Sequence, residues 1–187
     1  MTLAVIAVLT GPASAREDYS PTAGRDDPVR PLWGDTHLHT QLSMDAGAMG
    51  TLRTVDDAYR FARGEEVVST SGVPAKLSRP LDFLVIADHS DAMGTVEKII
   101  DGDPYFGTDP TVARWQAMIA SGDDGELLQA AIEIVGAFGA REDLPPILLD
   151  KAFAREIWDT YTKKADQSYE PGRFLSLIHI SEPTRRA

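Results

Sequence analysis

Two histidines one residue apart, His37 and His39, sit in the run Asp35-Thr36-His37-Leu38-His39, and Asp45 follows six residues later. The chain has four histidines; a third, His89, follows Asp88 at the close of the apolar run 81–87. In an extended strand, residues i and i+2 project to one face, so His37 and His39 can converge at a strand end. Neutral imidazole and carboxylate are the donors that hold divalent zinc, manganese or iron. Asp45 is placed to fold back over the same point, and His89 to approach it from a second strand. Asp35 and Asp88 are placed to orient the imidazoles as acceptors, which fixes the tautomer that binds metal. A lone i, i+2 pair arises by chance in about one such chain in ten, and polar residues at a strand end are its ordinary explanation. Its conjunction with a second apolar strand closing on Asp88-His89 makes a metal site the expectation.

The elements that must position these residues are legible from pattern. Residues 32–38 predict a first, largely buried strand, and residues 41–53 a glycine-containing loop. Thr54, with Asp57 three residues on, caps a predicted helix to residue 63, and Gly64 stops it. Residues 66–77 predict a hairpin whose second arm, carrying Pro74, is an edge. Residues 81–87 are apolar on both faces, which suits a buried parallel strand. Together these make a βαβ unit with an insertion. Helices are then predicted over 94–100, over 110–121 behind Asp109 and Pro110, over 126–138, and over 150–166 behind Asp150. The last carries a Phe153, Ile157, Tyr161 stripe for a core.

Composition narrows the class. The chain has 187 residues, 43% hydrophobic and 25% charged, which fits one globular domain. It has no cysteine, so disulfides and thiolate metal sites are excluded. Its net charge of −11 disfavours a nucleic-acid partner, which needs a basic face.

The two ends read differently from the middle. The apolar run 3–9 and Ala13-Ser14-Ala15 predict a signal peptide cut after residue 15, hence export to the periplasm or beyond, although only Met1 and Thr2 precede the run. That run is too short to span a membrane. Residues 16–30 read as a linker. Residues 175–185 resemble the in-frame translation of a transposon adapter used in short-read sequencing libraries, so 175–187 are expected to be an artefact and the natural sequence to stop near residue 174.

Trp33 to Thr40, Ser43-Met44-Asp45 and Ile86-Ala87-Asp88-His89-Ser90 resemble the opening motifs of the PHP superfamily, the metal-dependent phosphoesterases named for polymerase and histidinol phosphatase domains. Residues 77–83 strengthen the likeness to a PHP-like branch of unknown function. The resemblance implies an α/β fold, a distorted seven-stranded (β/α) barrel with two or three divalent metal ions at the C-terminal mouth of its strands. It puts His37, His39, Asp45 and His89 on metal-ligand positions and implies hydrolysis of a small-molecule phosphoester by a metal-bridged hydroxide. The superfamily's later ligands, a glutamate, two histidine-type positions and an Asp-x-His, have no counterpart before residue 174. Residues 31–174 are therefore expected to supply an incomplete barrel, with a helical insertion after its second strand, and to be inactive alone. Two alternatives stay open: an amidohydrolase-type barrel, which also opens on His-x-His, and a non-catalytic metal-binding module. Asp88-His89 favours the first reading over the amidohydrolase.

Overall fold

The computed structural model describes residues 31–140 and 144–179. Of two units in the chain, these residues belong, Pro31 apart, to Leu32–Ala187. The expected signal peptide and linker, and residues 180–187 of the adapter-like tail, lie outside the described residues. In chain order the strands are β1 (Gly34–Leu38), β2 (Val67–Val68), β3 (Pro74–Ala75), β4 (Phe83–Ile86) and β5 (Leu175–Ile178). The helices are α1 (Met44–Ala48), α2 (Val55–Ala62), α3 (Thr95–Ile100), α4 (Pro110–Ala120), α5 (Asp124–Ala140) and α6 (Lys151–Ser168).

The apolar run 81–87 becomes the centre of a three-stranded parallel sheet, ordered β1-β4-β5, and β2 and β3 form a separate antiparallel hairpin. The described fold is thus mixed α/β. Parallel pairing puts the C-terminal ends of the strands on one edge, and that edge carries the chemistry. β1 and β4 lie so close that a Cβ at Gly34 would strike the main chain and ring of Phe83, which is why this position needs glycine.

Two expectations are corrected. β1 is exposed along most of its length, not buried, because among the described residues it has β4 on one side only and is the sheet edge. The stretch 41–53 is not all loop: Met44–Ala48 makes one turn of helix, too short and too glycine-containing to show a period. Its Gly47 is buried where a Cβ would meet Gln41 O at 2.7 Å and Val96 Cγ1 at 3.2 Å. Residues 175–178, assigned by sequence to the adapter-like tail, are seated as β5. Parallel pairing uses main-chain groups, so an alternating apolar run satisfies it here.

The core has two parts. Val55, Tyr59 and Ala62 of α2 and Tyr161 and Ala165 of α6 pack with Leu84 and Ile86 of β4. The hydroxyls of these buried tyrosines find acceptors in the sheet: Tyr59 donates to Leu177 O at 2.9 Å, and Tyr161 to Ile86 O at 3.1 Å. The second cluster joins α1, α3, α4 and α5 through Met44, Val96, Ile99, Trp115, Ile134 and Phe138. Met44 belongs to it, so the one-turn helix that holds Asp45 is anchored by the residue before it.

Candidate metal centre

Each ligand-type side chain arrives on a different element. His39 lies just past the end of β1, Asp45 in the first turn of α1, and His89 three residues beyond β4. One donor atom from each lies within 4.8 Å of the others, and among the described residues this is the one such cluster of three or more. His39 Nδ1 is 3.1 Å from both carboxylate oxygens of Asp45, and His89 Nε2 is 3.4 Å from Asp45 Oδ2. The His39 and His89 rings meet edge to face, with centroids 5.0 Å apart.

His37, more exposed, stands beside the trio. Its Nε2 is 3.1 Å from His39 Nε2, and the two rings stack with centroids 4.9 Å apart. Two imidazole nitrogens sharing one tetrahedral ion stand about 3.3 Å apart, given metal–nitrogen lengths of about 2.0–2.1 Å. The His37–His39 spacing and the nitrogen/oxygen donor set therefore fit a divalent ion.

The carboxylate is ready to serve. Burial pushes the Asp45 pKa up, but the Ser43 hydroxyl, the Ala46 N–H and His39 outweigh it and hold the carboxyl down from its ordinary 3.8 to about 2. Asp45 Oδ1 accepts from Ser43 Oγ and from Ala46 N, each at 2.6 Å, which leaves Oδ2 facing the imidazoles.

The two aspartates expected to orient histidine rings are placed otherwise. Asp35 Oδ1 accepts the main-chain N–H of His37 at 2.8 Å, where the register of β1 against β4 shifts. It shapes the strand end, not a ring. Asp88 is fully buried and accepts from Thr40, from N at 2.5 Å and from Oγ1 at 2.8 Å. Burial raises its pKa above the usual carboxylate range, against the lowering effect of these two hydrogen bonds. Asp88 thus clamps the residue after His39 to the residue before His89, and acts on the ligands through the backbone. After His89 the chain turns into α3 through two left-handed residues, Ala92 at φ 50° and Gly94 at φ 79°. His179 follows β5, exposed, and lies outside the trio.

Sequence reasoning missed Ser43 and Thr40. Ser43 is fully buried and its hydroxyl touches all three ligand-bearing residues. Their signal was position: small hydroxyl residues beside His39 and Asp45, Thr40 just after the predicted strand and Ser43 in the segment read as loop.

The described chain is mixed α/β, with a histidine–aspartate group at the C-terminal edge of its parallel sheet that could hold a metal ion. The chain belongs to the family described as Protein of unknown function (DUF3604), whose model matches residues 26–181. No curated protein and no solved structure matches it. No helix among the described residues is long and apolar enough to cross a membrane.

Proposed function

We propose that this chain carries the opening part of a metal-dependent hydrolase centre of PHP type, acting on a small-molecule phosphoester in an exported protein. The observation that carries the reading is the convergence of His39, Asp45 and His89, from three elements, on one point at the C-terminal edge of a parallel sheet. The motif resemblance of residues 33–45 and 86–90 supports it, and extends it to a distorted seven-stranded barrel holding two or three ions.

His37, His39, Asp45 and His89 are the residues that would hold the ion or ions. When bound, a divalent ion of the zinc, manganese or iron type lowers the pKa of a coordinated water and neutralises charge on phosphoryl oxygens. The chain's own contribution is placement. Asp45 is ionised at neutral pH and offers Oδ2. Asp88 and Thr40 lock the two strand ends that carry the histidines. His37 is exposed, so the strand end that carries it faces solvent.

The test is elemental analysis of the full-length chain and of His39→Ala after equilibration with zinc, manganese or iron(II). Metal content is expected to fall by at least half in the variant, in step with any phosphoester hydrolysis. Unchanged stoichiometry would overturn the assignment.

A further inference from the structure

Ser43 occupies the position immediately before α1, where a serine ordinarily accepts a hydrogen bond from an N–H of the first helical turn. Its hydroxyl makes no such bond. The first turn is served differently, with Ala46 N–H donating to Asp45 Oδ1 at 2.6 Å. The Ser43 hydroxyl is instead spent on the cluster.

A serine hydroxyl has one proton to donate and two lone pairs to accept with. Ser43 Oγ donates to Asp45 Oδ1 at 2.6 Å, a distance typical of hydroxyl to ionised carboxylate. It accepts the main-chain N–H of His89 at 3.0 Å. The remaining lone pair faces His39 Nδ1 at 3.3 Å. The Ser43 side chain itself is fully buried, so its hydroxyl has no exposure to water. Each contact reaches a residue on a different element: the end of β1, the first turn of α1 and the end of β4.

The donor assignment has a consequence for His39. The hydroxyl proton is committed to Asp45, so the contact to His39 Nδ1 is a hydrogen bond only if Nδ1 carries the proton. The Asp45 carboxylate, 3.1 Å from the same nitrogen, demands that tautomer too. Nε2 is then the nitrogen with a free lone pair, and it faces His37 Nε2.

We propose that Ser43 is a positioning residue of the metal centre: its one hydroxyl sets the relative placement of His39, Asp45 and His89 and, with Asp45, holds His39 as the Nδ1–H tautomer. This rests on the metal reading above. Partners that orient ligands in this way are worth about 10- to 100-fold in metal affinity.

The experiment is a Co(II) titration of the full-length chain, read by visible absorption, which reports coordination geometry independently of catalysis. Wild type, S43A and S43T are compared. The expected result is Co(II) uptake by wild type and S43T, with affinity weakened about 10-fold or more and an altered spectrum in S43A. Wild-type affinity and spectrum in S43A overturn the proposal, as does an S43T chain no better than S43A. Wild type that takes up no Co(II) overturns the metal reading, and this inference with it. Should S43A fail to fold, imidazole nitrogen NMR of metal-free wild type at pH 8 decides: His39 protonated on Nδ1 supports the proposal, and protonation on Nε2 overturns it.

Discussion

Asp88 is a fully buried carboxylate that accepts two hydrogen bonds from Thr40. A buried charge-bearing group is tolerated only while its partners are in place, and losing one side strands the other. Thr40→Val removes the hydroxyl and keeps the shape, so the loss is one donor to Asp88 and one acceptor for Leu42 N–H. We expect it to cost about 1–3 kcal/mol. Asp88→Ala leaves both Thr40 groups unsatisfied and is expected to cost more, about 2–4 kcal/mol. Thermal melts check this, at about 2–4 °C per kcal/mol for a chain of this size. A shift under about 1 °C for both would show that the pair is not holding the strand ends. The sequence displayed the candidate ligands, because histidine and aspartate at a strand end are rare enough to notice. It hid the geometry among them. Whether Asp35 reaches a ring or a backbone N–H depends on a register shift in β1, and Ser43 matters only because α1 folds back.

Helices announced themselves where a cap and an apolar period coincide. Thr54 and Asp57 make a reciprocal capping box, and Asp109 and Asp150 accept from the first-turn N–H groups of α4 and α6 as their spacing implied. What stayed illegible was α1, a single turn too short to show a period, and the exposure of β1, which depends on the neighbours a strand acquires. Contacts between helices are equally invisible to local pattern. Glu133 of α5 accepts from Arg114 and Trp115 of α4 and from Gln129, with Trp115 Nε1 at 2.9 Å and Gln129 Nε2 at 3.0 Å. Led by the Arg114 guanidinium, these donors hold its carboxyl down from 4.5 to about 2. A carboxyl whose folded pKa is depressed stabilises the fold above its unfolded value and loses that contribution as pH falls through the folded one. Wild type should therefore lose stability between about pH 4.5 and pH 2 on account of this group, and Glu133→Gln should lack that part of the slope. The side chain is a quarter exposed, so screening keeps the effect to about 1 kcal/mol or less. Urea unfolding at pH 7 and pH 3 measures it; parallel losses in both chains would mean the α4–α5 contact carries no pH dependence.

Taken whole, the described chain covers one side of its sheet well and leaves apolar surface elsewhere. Besides the free edge of β1, a groove of about 390 Å³ runs between the end of α1 and α5, lined by Ala48, Met49, Leu52, Leu127 and Leu128 among others. Met49 is 79% exposed and Leu128 62%, and Ile132, one turn along α5 from Leu128, is 57% exposed. Contiguous exposed apolar surface of this kind binds apolar dyes and promotes association, and an uncovered strand edge adds main-chain donors and acceptors to the same tendency. The net charge of −11 opposes association by repulsion, so the tendency should strengthen as salt screens that charge. Leu128→Glu places a charge at the mouth of the groove without removing a core contact, since Leu128 belongs to neither buried cluster. We expect it to shift the melting midpoint by little, within the ±0.5 kcal/mol usual for surface changes. It should also lower the fluorescence of a bound apolar dye and raise the monomer fraction in sedimentation at about 0.5 M salt. If dye binding and sedimentation match wild type, the groove is not the adhesive surface, and the exposed edge of β1 becomes the element to block.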